Sequence, residues 1–368
     1  MKKKIEKIEK ILFIHPYFGN GGAEKGIRKL AKNLVEEGFV VHLYCLRVDI
    51  DIENEFSDIL FFKSSSNNIR TSVFNFLKII LRENYNIVIP NQTPSIIFYV
   101  PIIFLANVIF KTINMKIISF ERLSPKIFYL PGIFKFITKL AYHFSLKLSD
   151  CLLTNSLEQL SEYKYRFPNK LSFYIPNSSS TTHFKNHLQT KAKDNKQNIY
   201  RILWLGRFEK IKDPLLAVDS MRYLNEKFHL NIFGSGSMLN QINMRINLYQ
   251  LGNKIKINSN NQKLNLYEYD IVLHTSHYEG LPNTFIESLS NHIPIVSTIF
   301  TTGLCELFIP YWVYPCERSA ASLAEKIKEA LSENDKCIRK NSKIDSLISK
   351  YYDDKNMFKV FKRALNNI

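Results

Sequence analysis

Short runs of consecutive apolar residues alternate along this chain with segments of helical periodicity. The run ILFIHPYF is followed by a glycine loop, by AEKGIRKLAKNLVEEG with apolar residues at helical spacing, and then by the run FVVHLYCL. The same alternation restarts at RILWLGRF and continues through DIVLHTS and SAASLAEKIKEALSE. Runs of this kind are typical of strands buried on both faces of a parallel sheet. The sequence therefore predicts an α/β chain with two doubly wound domains, each a parallel sheet covered by helices.

A change in composition marks the boundary between the two predicted domains. Residues 178 to 198 are polar and charged and have almost no apolar periodicity, which is typical of a connection. The chain has 368 residues, and a typical domain has about 150. We therefore expect an N-terminal domain over 1–178, a connection over 179–198 and a C-terminal domain over 199–350.

The composition also argues against several classes of protein. Charged residues make up 23% of the chain and apolar residues 45%, which argues against wholesale disorder. The five cysteines never form a CxxC pair, which argues against a disulfide framework or a zinc site and favours a reducing compartment. The longest apolar stretch, from Ser95 to Phe110, is shorter than the roughly 20 residues of a spanning helix, and Pro101 interrupts it. We therefore expect a cytoplasmic protein.

The stretch from Asp270 to Thr298 has the most informative pattern. The run DIVLHTS leads into the loop YEGLPN, a helix is expected to begin near Asn283, and IPIVST follows as the next strand. This order puts the loop at the carboxyl edge of a parallel sheet, where α/β domains bind ligands and where the amino end of a helix favours phosphate. Glu279 lies in the loop and Glu287 lies in the helix.

Carboxylates at such an edge favour a ligand that has hydroxyls as well as phosphates. Glu279 and Glu287 can accept hydrogen bonds from sugar or ribose hydroxyls, while main-chain N–H groups bind phosphate. A nucleotide sugar has both kinds of group. Acidic side chains also occur near the start of a helix for stability alone, so a purely structural role for Glu287 stays open.

Two further segments point to a diphosphate. Gly206 and Arg207 directly follow the strand RILWL, and Lys212 comes shortly afterwards, so a guanidinium fork and an ammonium group would stand at the same edge. The turn FGSGS, which contains Gly234, follows the strand HLNI and allows close approach of a ligand. Each segment alone also fits an ordinary basic or glycine-containing turn.

Taken together, these motifs resemble those of the retaining glycosyltransferases of family 4, which have the GT-B fold. The most specific is the E-x7-E signature in EGLPNTFIESLSNHIPIVSTIFTTGLCELF, and LGRFEKIK and NIFGSGS are similar to the start of the family's second domain. The opening ILFIHPYFGNGGAEKGIRKLAKNLVEEGFVVHLY is similar to its first strand, glycine loop and helix. The resemblance covers almost the whole chain and implies two Rossmann-like domains that face a central cleft. Residues 351–368 would form a C-terminal helix that packs back on the first domain.

The resemblance implies a role for each matching residue. Glu279 would bind hydroxyls of the donor sugar and Glu287 the ribose, while Arg207 and Lys212 would bind the diphosphate. Arg207, Lys212 and Glu279 would form the catalytic group. The other residues expected at the nucleotide-sugar site are Gly21, Gly22, Gly206, Gly234, Gly280, Leu281, Pro282, Asn283 and Thr284.

The segment ISFERLSPKIF departs from the family pattern. Many members have a histidine here, near the reacting carbon, whereas this chain has Ser119, Glu121 and Arg122. We expect Glu121 and Arg122 either to contact the acceptor or simply to pair on the surface.

No metal is expected at the donor site. The departing diphosphate gains negative charge, which Arg207, Lys212 and two helix amino ends can stabilise in place of a cation. Asp49-Ile50-Asp51 fits the Asp-x-Asp pattern of metal-dependent transferases, but it lies in an acidic stretch remote from the other motifs, and we interpret it as a solvated loop. The resemblance implies a retaining transfer without a cofactor, and the expected donor is a UDP-sugar.

The chain is strongly basic, with 50 Lys and Arg against 33 Asp and Glu and a formal charge of +17. Between Lys111 and Lys147 basic residues are interleaved with aromatic and aliphatic ones, and Glu121 is the one acid. This pattern predicts either an element at a membrane surface or an ordinary amphipathic helix with solvated lysines. The first interpretation indicates peripheral binding at the inner face of the cytoplasmic membrane. The acceptor would then be a glycan or a polyprenyl-diphosphate-linked oligosaccharide of envelope polysaccharide synthesis.

Other functions stay open on the sequence alone. A basic chain can bind nucleic acid, but we find no base-reading motif and expect no specific nucleic-acid partner. A glycosidase that uses Glu279 and Glu287 would not account for the Gly-Arg-x4-Lys segment. A GT-B-fold sugar epimerase and a non-catalytic glycan-assembly subunit are two further alternatives.

Overall fold

The computed structural model describes residues 9–19, 21–48, 59–64, 69, 71–110, 114–122, 133–179, 199–258, 264–299, 303–333 and 341–368. The chain divides into two compact units, which we call unit 1 (Met1–Pro176 with Lys355–Ile368) and unit 2 (Asn177–Asp354). Nearly all of the predicted connection over 179–198, and the segment Asp49-Ile50-Asp51, lie outside the described residues.

Unit 1 is built on a parallel sheet. Its strands are β1 (Lys10–Ile14), β2 (Tyr17–Phe18), β3 (Val40–Cys45), β4 (Arg47–Val48), β5 (Leu60–Lys63), β6 (Ile87–Pro90), β7 (Lys116–Glu121), β8 (Cys151–Thr154) and β9 (Leu171–Tyr174). Seven of them pair in the order β5-β3-β1-β6-β7-β8-β9, and β2 pairs separately with β4. Every residue of β6 and of β8 is buried, as expected for strands that helices cover on both faces.

Among the described residues that precede unit 2, five helices pack on this sheet: α1 (Gly22–Glu36), α2 (Val73–Glu83), α3 (Gln92–Ile109), α4 (Ile133–Leu148) and α5 (Leu157–Arg166). Helix α1 buries the residues whose spacing predicted it, among them Ile27, Leu30 and Leu34. The chain leaves α1 through Gly38, whose φ of +91° is a left-handed conformation that favours glycine.

Helix α3 is continuous through Pro101, so the expectation that this residue interrupts the apolar stretch is wrong. A proline inside a helix removes one main-chain hydrogen bond, and the complete burial of Ile96, Val100 and Ile103 offsets that loss. By length and composition, α3 is the one helix among the described residues that could cross a membrane, and 39% of it is buried inside the protein. Its buried side chains belong to the core of unit 1.

Unit 2 contains a second parallel sheet. Its strands are β10 (Tyr200–Leu205), β11 (Phe228–Phe233), β12 (Ile255–Asn258), β13 (Ile271–His274), β14 (Ile295–Thr298) and β15 (Val313–Cys316). They pair in the order β12-β11-β10-β13-β14-β15. The order changes direction at β10, so the carboxyl ends of β10 and β13 lie at the switch point, where sheets of this type bind ligands.

The helices of unit 2 follow its strands in alternation. They are α6 (Pro214–Ser220), α7 (Leu239–Leu248), α8 (Asn283–Ser290), α9 (Gly303–Glu306), α10 (Ala320–Ser332) and α11 (Asn341–Tyr351). The core on one face of the sheet includes Trp204 and Ile232 of the strands with Ile242 and Ile327 of the helices. Two parallel sheets with alternating helices confirm the predicted α/β architecture.

The last helix of the chain, α12 (Asp354–Asn366), packs on the core of unit 1. Phe361 is fully buried and stacks on Phe13 of β1, with ring centroids 6.3 Å apart. On the surface, Lys362 Nζ lies 2.5 Å from Glu37 Oε2. Unit 1 therefore contains residues from both ends of the described chain.

Candidate functional site

The loop between β13 and α8 lies at the carboxyl edge of the unit 2 sheet. All four residues of β13 are buried, and α8 begins at Asn283, as predicted. Pro282 stands at the N-cap of this helix and has no side-chain acceptor with which to cap it. The loop is anchored because the side-chain amide of Asn177 donates to the carbonyl oxygen of Leu281 at 2.5 Å.

Glu279 is the centre of a cluster of polar side chains in this loop. Its carboxylate forms an ion pair with Lys212, accepts a hydrogen bond from Ser276 Oγ at 2.9 Å and lies 3.5 Å from His274 Nε2. The Glu279 side chain is 15% exposed and the Lys212 side chain 24% exposed, so the pair is largely shielded from water. The fold thus brings together two of the three residues predicted to form the catalytic group.

The electrostatics of this cluster keep Glu279 ionised. Burial alone would raise the pKa of its carboxyl, but the charge of Lys212 and the contacts with His274 outweigh burial and hold that pKa far below its ordinary value. Burial lowers the pKa of His274, which favours the neutral imidazole. An ionised carboxylate only accepts hydrogen bonds, so Glu279 suits the hydroxyls of a ligand better than its phosphates.

Arg207 lies on the same loop as Lys212 but does not join the Glu279 cluster. Its side chain is 65% exposed, and its Nη1 lies 3.1 Å from Glu209 Oε1. Because the guanidinium is held by an exposed partner, exchange of that partner for an anionic ligand costs little.

Gly206 and Gly234 meet where two loops of unit 2 approach each other. The N–H of Gly206 donates to the carbonyl oxygen of Phe233 at 3.1 Å. A Cβ on Gly234 would overlap the carbonyl oxygen of Gly206, which is main chain and cannot rotate away. The sequence predicted glycines here for close approach of a ligand, and for Gly234 the structure gives a second reason, which is close approach of main chain to main chain.

The remaining predicted donor residues form the start of α8 and the loop before it. Gly280, Leu281 and Pro282 are buried, whereas Asn283 and Thr284 in the first turn of α8 are partly exposed. Glu287 lies in the second turn, is also partly exposed, and its carbonyl oxygen accepts a hydrogen bond from Asn291 Nδ2 at 2.6 Å.

Sequence reasoning missed several groups at this edge. His274 and Ser276 contact Glu279, although the histidine had the pattern of an ordinary strand end. Asp213 follows Lys212 and forms an ion pair with Arg318 at 3.0 Å. The position of His274 as last residue of a buried strand could have placed it at the site, but no local pattern points to Arg318.

At the amino end of α1 in unit 1, a carboxylate of the same helix lies beside Gly21, one of the residues expected at the nucleotide-sugar site. Gly21 is the N-cap of α1, and a Cβ on it would overlap the carboxylate of Glu24. The same carboxylate lies 3.3 Å from His15 Nε2. Glu24 thus supplies the negative charge that the amino end of a helix favours, next to Gly21 and Gly22.

Glu121 and Arg122 are buried, with exposures of 1% and 7%, so the expected pairing on the surface is wrong. The carboxylate of Glu121 accepts hydrogen bonds from Thr93 Oγ1 at 2.5 Å and from the N–H of Arg122 at 2.8 Å. The Arg122 guanidinium lies 4.4 Å from the centre of the Phe120 ring, and burial lowers its pKa to about 10. The physical reason is that β7 lies inside the sheet, between β6 and β8.

Part of the chain matches a family model. Residues 185–344, most of unit 2, match the model described as glycosyl transferases group 1. A protein of Methanocaldococcus jannaschii described as an uncharacterized glycosyltransferase is 27% identical over 284 residues, which are 72% of this chain and 69% of that protein.

Solved structures resemble the whole chain. HepE from Anabaena, in complex with UDP and glucose, has a TM-score of 0.78 and 15% identity, and the match covers 98% of this chain and 100% of that one. The lipopolysaccharide outer core galactosyltransferase WaaB, in its apo form, has a TM-score of 0.69 and 18% identity, with 97% and 99% covered. Both likenesses extend over the full fold.

Proposed function

We propose that this chain is a group 1 glycosyltransferase with the GT-B fold and that it transfers a sugar from a nucleotide sugar to a glycan or lipid-linked acceptor with retention of configuration. Unit 2 would bind the donor and unit 1 the acceptor. The observation that carries the proposal is the largely shielded ion pair of Lys212 and Glu279 beside the amino end of α8. This pair offers a carboxylate for sugar hydroxyls directly beside a cation and helix N–H groups for phosphate.

Stabilisation of the departing diphosphate would come from the chain's own positive charges. Negative charge develops on the diphosphate as the glycosyl–phosphate bond breaks, and preorganised donors stabilise it most in the transition state. Lys212, the exposed Arg207 and the N–H groups of Asn283 and Thr284 lie at the edge where that charge would develop. Glu279 would orient the sugar, and Glu287 would bind the ribose.

We propose that these groups make a divalent cation unnecessary. Activity should therefore persist in EDTA, measured as release of nucleotide from the donor. Loss of activity in EDTA and its recovery with manganese or magnesium would contradict this part of the proposal.

The proposed donor is a UDP-sugar. The HepE structure, which holds UDP and glucose on a similar fold, supports this choice. Thermal unfolding in the presence of a panel of nucleotides and nucleotide sugars tests it, because a ligand at a hundred times its dissociation constant adds about 2.7 kcal/mol to the free energy of unfolding. Stabilisation by another nucleotide but not by UDP would reject the donor assignment.

The reaction type needs a separate experiment. A transferase releases nucleotide from its donor in proportion to acceptor, and a retaining one gives a product whose anomeric configuration, read by NMR, equals that of the donor. An epimerase would convert the sugar without acceptor, a glycosidase would cleave a glycan without nucleotide, and a non-catalytic subunit would do neither. An inverted product would reject the retaining mechanism.

Two packed helices of unit 1 support an acceptor at the membrane surface. Between residues 92 and 148 the one acidic residue is Glu121, which is buried. Lys139 and Lys147 lie on α4. Apolar side chains of both helices are exposed to solvent: Phe104, Leu105, Val108 and Ile109 on α3, and Ile133, Phe136, Ile137, Leu140 and Phe144 on α4.

Exposed apolar side chains together with lysines suit the interface of an anionic bilayer. We therefore propose a cytoplasmic enzyme bound peripherally at the inner face of the membrane, which acts in envelope polysaccharide synthesis on a polyprenyl-diphosphate-linked acceptor. The WaaB likeness supports an envelope role. Glu121 and Arg122 would act on the acceptor through groups that they hold, such as Thr93.

Flotation with vesicles tests the membrane proposal. Binding to phosphatidylglycerol vesicles at low salt, release at high salt, and weak binding to phosphatidylcholine are expected. The double variant Phe136→Ser/Leu140→Ser should float poorly, whereas Met244→Ser/Leu248→Ser, which removes two apolar side chains of unit 2 that are even more exposed, should float normally. Absence of flotation at every ionic strength would contradict the membrane proposal. Retention on nucleic acid that high salt does not abolish would contradict the expectation that the protein has no specific nucleic-acid partner.

A further inference from the structure

We infer that Arg318 is a positioning residue that holds the two loops carrying Lys212 and Glu279 in register at the donor site. The inference rests on the proposed function, because it concerns the same edge of unit 2. Arg318 follows β15 and precedes α10, whose N-cap is Ser319. Its side chain is 27% exposed.

The guanidinium of Arg318 bonds to three other loops. Nη1 donates to Asp213 Oδ2 at 3.0 Å and to the carbonyl oxygen of Thr275 at 2.9 Å. Nη2 donates to the carbonyl oxygen of Ser276 and to Thr298 Oγ1 at 3.1 Å. These partners follow or end β10, β13 and β14, so one side chain joins the carboxyl ends of four strands of the sheet.

The first of these contacts fixes the loop of Lys212. Asp213 is the next residue, its φ is +50°, and its Oδ1 accepts a hydrogen bond from the N–H of Leu216 at 3.3 Å. A left-handed conformation is unfavourable for a non-glycine residue and persists where contacts hold it. Thr275 Oγ1 lies 2.8 Å from the carbonyl oxygens of both Lys212 and Asp213, which ties this loop to the end of β13.

The second set of contacts fixes the loop of Glu279. Arg318 bonds to the carbonyl oxygen of Ser276, and the hydroxyl of Ser276 donates to Glu279 Oε1 at 2.9 Å. The Arg318 side chain therefore contacts the loops of both Lys212 and Glu279. Because its donors are directed to protein groups, Arg318 acts on a ligand through these residues rather than by contact.

The geometry requires arginine rather than any cation. A guanidinium presents several donors in a rigid plane, which lets it reach a carboxylate, two carbonyl groups and a hydroxyl together, whereas the ammonium of lysine is a single point charge. A displacement of about 1 Å in a catalytic site can lower the reaction rate about 100-fold. Loss of the fork would leave the fold in place but let the two loops move apart.

Calorimetric titration with UDP tests the inference. We expect Arg318→Met to weaken UDP binding about 10- to 100-fold and Arg318→Lys to lie between this variant and the wild type. The double variant Arg318→Met/Lys212→Met should bind UDP hardly worse than Lys212→Met, because Arg318 acts largely through that residue. Such non-additivity would not arise from a general loss of stability.

The matched control is Arg245→Met. Arg245 Nη1 lies 2.9 Å from both carboxylate oxygens of Asp219 in the same unit, and its side chain is 32% exposed, close to that of Arg318. Both variants lose an Arg–Asp pair, so both should melt earlier, but Arg245→Met should bind UDP as the wild type does. If Arg318→Met and Arg245→Met bind UDP with the same affinity while Lys212→Met binds it more weakly, the inferred role of Arg318 is contradicted. If Lys212→Met itself binds UDP normally, the proposed donor site is wrong.

Discussion

At the carboxyl edge of the unit 2 sheet, Lys212 and Glu279 keep part of their surface in solvent, whereas Glu121 and Arg122 at the same edge of the unit 1 sheet are buried. Lys212 and Glu279 are 24% and 15% exposed, and Glu121 is 1% exposed. In unit 1, among the described residues, His15 Nδ1 and Asn91 Oδ1 are buried without a hydrogen-bond partner. A partly exposed ion pair can exchange partners with an incoming ligand, whereas a buried carboxylate mainly holds its own neighbours.

The largest effect is expected from Lys212→Met, which removes the cation beside Glu279. Turnover should fall about 100-fold or more, because a preorganised positive group would be lost where the leaving diphosphate gains charge. Initial rates with a UDP-sugar measure this effect. Lys326→Met is the control, since it removes an exposed ion pair with Glu329 on α10 of the same unit and should leave turnover unchanged. Normal turnover in Lys212→Met would contradict a functional difference between the carboxyl edges of the unit 2 and unit 1 sheets.

Gly234→Ala should lower the free energy of unfolding of the protein, even when no ligand is bound. Its Cβ would overlap the carbonyl oxygen of Gly206, and overpacking of this kind costs about 3 kcal/mol. Urea unfolding measures the loss. Gly252→Ala is the matched control, because a Cβ there meets no atom within 4 Å. Equal stability of the two variants would refute the close approach of the two loops.

Glu121→Gln tests the role of a buried charge at the edge of unit 1. The amide would face the hydroxyl of Thr93 or the N–H of Arg122, both of which donate, so one of them would lose its acceptor at a cost of about 2 kcal/mol. Glu37→Gln, which weakens an ion pair with Lys362 between side chains 43% and 39% exposed, should cost less than about 1 kcal/mol. Similar unfolding free energies for both variants would show that Glu121 contributes no more than a surface residue.

The smallest expected effect is a pH dependence of stability from His274. Burial lowers its pKa below the ordinary value of 6.5, so the folded state binds this proton less readily than the unfolded state. The contribution to stability is therefore complete above the unfolded pKa and is lost as pH falls below it. Urea unfolding between about pH 7 and about pH 5 should show a smaller decline in His274→Asn than in the wild type. An unchanged decline would mean that other groups, such as His42 in unit 1, account for it.

The sequence predicted the parts of the molecule that local pattern determines. The strand β13, its loop and the start of α8 are adjacent in the chain, so apolar runs, a proline and the following helical residues located Glu279 at a sheet edge. Glu121 and Arg122 were harder, because burial depends on the position of β7 inside the sheet, and strand order is not a local property. Pro101 was misleading because core packing outweighs its local preference.

Arg318 could not have been predicted in this way. It lies 105 residues from Asp213, its main ionic partner. Two of its other acceptors are main-chain carbonyl groups, which every residue has and which therefore leave no mark on the sequence. Only the pairing of the strands decides which carbonyl groups are within its reach.

Helix α12 has a consequence for synthesis of the protein on the ribosome. The strands of unit 1 emerge from the ribosome before unit 2, yet the face of their core that receives Phe361 stays uncovered until α12, which follows unit 2 in the chain, has been translated. Unit 2 is encoded between these two parts and is complete before α12 has been made, and domains generally fold as units while they are made. Unit 1 can therefore complete its core only after unit 2 has been made, and a nascent chain that lacks α12 would expose apolar surface to chaperones and proteases.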